Sequence, residues 1–125
     1  MFATLAQVAL GGAIGAACRY LTGAAAMRLF GPGFPWGTVI VNVVGSVAMG
    51  ALVVILAMKG GTRLAPFLMT GLLGGFTTFS AFSLDALTLY ERGESWLAAA
   101  YVAGSVALAL GGIVLGIHLA RLVWA

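Results

Sequence analysis

The sequence predicts an all-α integral membrane protein with four transmembrane helices, the third of them broken near Gly74 and Gly75. Two observations predict this class. Of the 125 residues, 62% are hydrophobic and 7% are charged, whereas a soluble domain carries about 25% charged residues. The apolar residues also fall into four long spans that short polar connections separate. Residues 1–125 therefore form a single membrane domain.

The four spans cover about residues 2–26, 37–58, 66–90 and 96–123. Each exceeds the roughly 20 residues that a helix needs to cross a bilayer. Pro66 stands at the start of the third span, where a proline can open a helix. Aromatic residues mark the span ends, as a membrane interface favours: Trp36, Tyr90, Trp96 and Trp124. An even number of spans places both termini on one side.

Basic residues are divided evenly between the two sides. The terminal side carries Lys59, Arg63 and Arg121, and the other side carries Arg19, Arg28 and Arg92. This balance gives the positive-inside rule no preferred orientation. It favours dual topology, in which copies insert both ways and pair antiparallel; the alternative is one orientation set by a dominant helix. The sequence has no Lys/Arg-rich run, so it gives no indication of a nucleic-acid partner.

Small residues recur at four-residue spacing in every span. The pairs are Gly11/Gly15, Ser46/Gly50, Gly71/Gly75 and Gly112/Gly116. Such pairs let helix backbones approach closely in lipid. Because four spans are few to enclose a pore, we expect an oligomer.

The stretch 71–85 gathers glycines, hydroxyls and phenylalanines inside the third span. Adjacent Gly74 and Gly75 cost a helix about 1 kcal/mol each relative to alanine. Hydroxyl residues follow at once: Thr77, Thr78, Ser80 and Ser83. A broken backbone is tolerated in lipid where protein or a water-filled cavity covers it. We expect an interruption near mid-membrane whose free carbonyls, around Gly74 and Thr77, bind a small cation.

Phe79 and Phe82 lie three residues apart, hence on one helix face, and Ser80 and Ser83 lie on an adjoining face. Phenyl ring edges are electropositive. Together with hydroxyl donors, they can receive an anion without a buried positive charge. Under the alternative, the rings pack and the hydroxyls bond to their own helix.

Four further polar residues have two interpretations each. Asn42 is a pore-lining donor or a helix–helix hydrogen bond, and Arg19 is a vestibule residue or an interfacial side chain. Asp85 is a pore-mouth residue or is solvated, and His118 is interfacial rather than catalytic. The sequence has no Cys/His metal cluster, no nucleophile with a base and no phosphate-binding motif, so we predict no enzyme.

Three motifs in order resemble the Fluc (CrcB-type) fluoride channel family over essentially the whole chain. They are residues 12–20 (GAIGAACRY), 37–46 (GTVIVNVVGS) and 74–83 (GGFTTFSAFS). The resemblance implies an antiparallel, dual-topology homodimer in the bacterial inner membrane, with two pores that passively export fluoride and relieve its toxicity.

The resemblance also implies roles for individual residues. A structural sodium ion at the dimer interface would be held by backbone carbonyls of Gly74 and Thr77. The implied anion pore comprises Asn42, Thr78, Phe79, Ser80, Phe82, Ser83, Tyr101 and Ser105, with Arg19 in the vestibule. Two positions depart from the family: Ala81 is often threonine, and Ala109 replaces a frequent hydroxyl, which weakens the polar track on the fourth helix.

The alternative function is a small, dual-topology, proton-coupled exporter of cationic compounds. Such an exporter needs an acidic residue deep in a membrane helix. The acidic residues here are Asp85, Glu91 and Glu94, all near one end of the bundle, which favours the channel.

Overall fold

The computed structural model describes residues 1–124, and its regular elements are helices. They are α1 (Phe2–Phe30), α2 (Trp36–Lys59), a 3₁₀ turn (Thr62–Leu64), a π-helix (Pro66–Leu73), α3 (Gly74–Phe76), α4 (Phe79–Glu91) and α5 (Ser95–Trp124). The 3₁₀ turn, π-helix, α3 and α4 form one span. Four spans are long and apolar enough to cross a membrane: Phe2–Phe30, Trp36–Lys59, Thr62–Glu91 and Ser95–Trp124. The predicted four-span architecture is confirmed.

The third span is broken near its middle. Pro66 begins the π-helix, after the 3₁₀ turn with which the span starts, so it opens a helix as predicted. Helical backbone continues through α3, and Thr77 (φ −89°, ψ 159°) and Thr78 (φ −153°, ψ 124°) are then extended before α4 resumes. The predicted break is confirmed, but the extended residues are the two threonines, which Phe76 separates from the glycine pair.

Gly74 and Gly75 are both helical. Gly75 is needed for a contact between helices and not for the break. A Cβ atom at Gly75 would lie 2.7 Å from the Gly12 carbonyl oxygen and 3.1 Å from the Gly12 Cα. The glycine thus allows α3 to touch the backbone of α1, and it does not itself bend the chain. The break therefore does not coincide with the glycines, although glycine has a low intrinsic helix propensity.

Glycines on both sides form the contact between α1 and the third span. Added Cβ atoms at Gly11 and Gly15 would collide with the carbonyl oxygens of Phe67 and Leu72, and one at Gly71 would lie 2.9 Å from the Val8 oxygen. The two backbones therefore touch directly, as the small-residue spacing predicts.

The second glycine contact joins α2 to α5. A Cβ at Gly50 would collide with the Ile113 carbonyl, and one at Gly116 would collide with the Val47 carbonyl. The two helix pairs meet where α1 contacts α2, at Gly23 and Gly37, and through α4, whose Phe82 and Leu89 form a buried cluster with Ala98 and Tyr101 of α5. This cluster holds the second half of the broken span against α5.

The α2–α5 contact gives a matched test. Gly116→Ala should lower stability by about 1–3 kcal/mol, because the new methyl group meets backbone that cannot rotate away. Gly111→Ala on the same helix is the control, since no atom lies within 4 Å of its added Cβ. Thermal unfolding in detergent measures both variants, and equal midpoints would contradict the packing described.

Candidate functional site

Asn42 of α2 binds the backbone of the break at two points. Its Oδ1 accepts the Thr78 N–H at 2.8 Å, and its Nδ2 donates to the Thr78 carbonyl at 3.0 Å. An uninterrupted helix would give the Thr78 N–H to the Gly74 carbonyl. Asn42 therefore takes the place of the Gly74 carbonyl as the acceptor for the Thr78 N–H, which keeps Thr78 extended without an unpaired amide.

Thr78 also begins the helix that follows it. Its Oγ1 accepts the Ala81 N–H at 3.1 Å, the arrangement of a side-chain N-cap. In a continuous helix, the Gly74 and Thr77 carbonyls would accept hydrogen bonds from the N–H groups of Thr78 and Ala81. Those N–H groups instead bond to Asn42 and to the Thr78 hydroxyl. Both carbonyls that the sequence singled out therefore lack their helical donors.

Packing explains how Thr77 fits at the break. Its Cγ2 methyl occupies the space that a Cβ would take on Gly45 of α2. Its hydroxyl donates to the Leu73 carbonyl at 2.9 Å, and its own N–H bonds to the same oxygen at 3.0 Å. The Thr77 side chain is therefore used in packing and in ending α3.

Arg19 points at the break from α1. Its Nε donates to the Gly75 carbonyl at 3.1 Å, while the neighbouring Tyr20 is 75% exposed. The guanidinium thus lies beside the broken middle of the third span and does not extend toward the end of α1. This geometry favours the interpretation of Arg19 as a vestibule residue over that of an interfacial side chain.

A cavity of about 300 Å³ opens beside the break. It is lined by Asn42, Gly45, Ser46, Met49, Thr77, Thr78, Phe79, Phe82, Ser105, Val106, Ala109 and Ile113. Within residues 1–124, the buried Ser105 hydroxyl has no hydrogen-bond partner. The Ser105 oxygen is itself buried and unpaired among the described residues, whereas Ala109, one turn later on α5, contributes no hydroxyl.

The two candidate pore phenylalanines both line this cavity. Their ring centroids are 5.6 Å apart with an interplanar angle of 44°. Phe82 is buried, whereas Phe79 is 78% exposed on the outer face of the helix bundle. The cavity is consequently open on the side where Phe79 stands.

Ser80 and Ser83 are exposed, and neither is part of the cavity lining. Ser83 Oγ donates to the Phe79 carbonyl at 3.0 Å, and Ser80 Oγ lies 3.4 Å from Thr78 Oγ1. For Ser83, the geometry is that of the alternative in which a hydroxyl bonds to its own helix. Their pore roles stay predictions.

Asp85 is half-buried and accepts hydrogen bonds from two hydroxyl groups. Thr38 Oγ1 donates to its Oδ2 at 2.7 Å, and the Tyr101 hydroxyl donates to the same atom at 3.1 Å. One oxygen of Asp85 is therefore engaged by two hydroxyl groups of neighbouring helices. Tyr101 is buried and does not line the cavity, and its proton is directed at the carboxylate, away from any anion there.

Sequence reasoning missed Thr38 and Ser46 as site residues. A four-residue spacing with Asn42 places all three on one face of α2, and this signal was available. Thr38 also lines a second cavity of about 420 Å³ together with Arg19. Thr78 borders both cavities, so the break stands between them.

The fold and site define a class: a multi-pass membrane protein with a broken central helix beside an uncharged, mainly apolar cavity that holds a few polar groups. The chain belongs to the CrcB-like protein, Camphor Resistance (CrcB) family, whose model matches residues 6–117.

Curated bacterial relatives span nearly the same length. One from Cereibacter sphaeroides is 68% identical over 121 residues, 97% of each chain, and one from Ruegeria sp. is 57% identical over 122 residues, also 97% of each. One from Paracoccus denitrificans is 57% identical over 118 residues, 94% of each. All three carry the name fluoride-specific ion channel FluC, which agrees with the prediction of a channel and not an enzyme.

Proposed function

We propose that this protein is a fluoride-selective channel that passively exports fluoride across the bacterial inner membrane and relieves its toxicity. The observation that carries the proposal is the cavity beside the break. Among the residues described, its lining contains hydroxyls, an amide and two phenyl rings, and no charged side chain. Such a lining stabilises an anion weakly at several points.

Weak donors suit fluoride because the ion is small and tightly hydrated. Conduction requires binding that is favourable enough for entry and weak enough for release. The Ser105 hydroxyl and the positive ring edges of Phe79 and Phe82 meet that requirement, whereas a buried arginine would hold the ion tightly.

The names of the relatives support the same function and not the cation exporter. The exporter would need a carboxylate that is available to substrate and protons within the membrane. Asp85 instead accepts hydrogen bonds from Thr38 and Tyr101. The channel is therefore the function we adopt.

Efflux from proteoliposomes tests the function directly. A fluoride electrode should record rapid release from vesicles containing the protein, and chloride release should be far slower. Phe82→Ile should lower the fluoride rate by at least about tenfold, because it removes a ring edge at the ion path while keeping apolar bulk. Phe2→Ile is the control, since Phe2 is 85% exposed at the end of α1. Unchanged flux in Phe82→Ile would remove this ring from the pore.

We further propose that two copies pair antiparallel as a homodimer with two pores. Phe79 is 78% exposed and Leu84 65% exposed on the third span, and Ser80 and Ser83 are exposed between them. Hydroxyls and an open cavity near mid-membrane are costly against lipid. A second copy covers this face, and the even division of basic residues favours its inverted orientation.

Tag accessibility on intact cells measures orientation. With a protease-cleavable tag at the C-terminus, about half of the copies should be cut from outside, because the charge balance favours neither side. A variant with Arg28 and Arg92 both changed to Gln is the control, and it should shift the population to one orientation. Complete protection or complete cleavage of the unmodified protein would contradict dual topology.

We also propose that a structural sodium ion lies at the dimer interface. The fit rests on the carbonyls of Gly74 and Thr77, whose helical donors are occupied elsewhere. Free carbonyls of an unwound segment are typical sodium ligands. Each subunit would supply two oxygens, and the bound ion would be coordinated by them and hold the two breaks together.

Sodium removal tests this site. Exhaustive exchange of sodium for a large organic cation should slow fluoride efflux and lower the thermal stability of the dimer. Asn42→Ala should weaken the sodium dependence, because the released Thr78 N–H can return to the Gly74 carbonyl. Thr22→Ala is the control, since Thr22 bonds to its own helix at Cys18. Sodium-independent stability and flux in the wild type would exclude the ion.

A further inference from the structure

A chain of aromatic contacts leads from the pore phenylalanines to the connection between α1 and α2. The ring centroids of Phe82 and Tyr101 are 5.2 Å apart, and those of Tyr101 and Phe34 are 5.4 Å apart. The Phe34 and Tyr101 rings meet edge to face, with an interplanar angle of 86°. Phe34 thus reaches inward from residues 31–35 to contact a buried ring behind Phe82.

The connection that carries Phe34 is tightly folded. Pro35 has φ −79° and ψ 65°, and the Trp36 N–H donates to the Phe34 carbonyl at 2.8 Å. These values define an inverse γ-turn, whose φ proline fixes in advance. The Phe34 ring also lies 4.7 Å from the Trp36 ring. Phe34 therefore has a defined position although it lies outside the helices.

Tyr101 transmits that position because its other end is held. Its hydroxyl donates to Asp85, which Thr38 also binds, and the residue is 1% exposed. With the hydroxyl fixed, the remaining freedom of the ring is rotation against its two aromatic neighbours. Phe34 limits that rotation on one side, and Phe82 lies on the other.

We propose that Phe34 is a positioning residue for the anion path: it holds the Tyr101 ring, and the Tyr101 ring sets the angle at which Phe82 presents its edge to the cavity. This inference rests on the proposed function. Edge and face of a phenyl ring have opposite electrostatic sign, so a ring free to turn would present its repulsive face to an anion for part of the time.

The chain offers a matched set of variants. Phe34→Leu keeps apolar bulk but removes the ring, and Phe34→Tyr restores it. Phe30→Leu is the control, because Phe30 lies at the same end of the molecule and its aromatic contact is with Trp36, 5.6 Å away, and not with Tyr101. Pro35→Ala loosens the turn without changing any ring.

Fluoride efflux from vesicles with at most one dimer each separates two quantities. The fraction of vesicles that empty counts folded channels, and the rate at which those vesicles empty reports conduction. Phe34→Leu should lower the rate by about three- to tenfold, the size expected from the lost Phe34–Tyr101 pair, with the fraction unchanged. Phe34→Tyr and Phe30→Leu should match the wild type, and Pro35→Ala should lower the rate less.

Several outcomes would overturn the inference. Phe34→Leu emptying fewer vesicles at the wild-type rate would show that Phe34 acts on stability alone. A wild-type rate in Phe34→Leu with all vesicles emptied would remove any role. If Phe34→Leu fails to assemble, a wild-type rate in Pro35→Ala decides against the inference. A wild-type protein that releases no fluoride, in contrast, would overturn the proposed function itself.

Discussion

The paired hydrogen bonds between Asn42 and the backbone of Thr78 are the interaction on which the rest of the structure depends. A helix inside a membrane is interrupted only at the cost of unpaired amides and carbonyls, because lipid offers them no partner. Asn42 supplies both a donor and an acceptor to one residue, at 3.0 and 2.8 Å. It therefore satisfies the extended residue while leaving the Gly74 carbonyl free of its helical donor.

This arrangement requires α2 to lie close to the third span, and small residues allow that approach. Gly45 leaves space for the Thr77 methyl group, and Gly75 lets α3 touch Gly12 of α1. The glycines of this protein thus contribute mainly by removing side chains at contacts. Their effect on the break is indirect: they bring Asn42 and Arg19 within reach of its backbone.

The polar groups of the site differ in whether they already make hydrogen bonds within the protein. The Tyr101 and Thr38 hydroxyls donate to Asp85, and the Thr77 hydroxyl donates to its own helix. The buried Ser105 hydroxyl has no partner within the described residues. Residue type alone would rank these hydroxyls equally, and only the tertiary contacts show that the Ser105 hydroxyl is left unpaired within that part of the chain.

The sequence by itself determined the class, the four spans, the helix start at Pro66 within the third span and the existence of its break, because hydrophobicity, span length and turn residues are local properties. It also marked the Gly74 and Thr77 carbonyls through the resemblance. Only the tertiary structure decided that the extended residues are Thr77 and Thr78, that Asn42 binds one of them and that Asp85 accepts two hydrogen bonds. Each of these facts depends on contacts between residues 16 to 47 positions apart, and local propensity carries no information about such pairs.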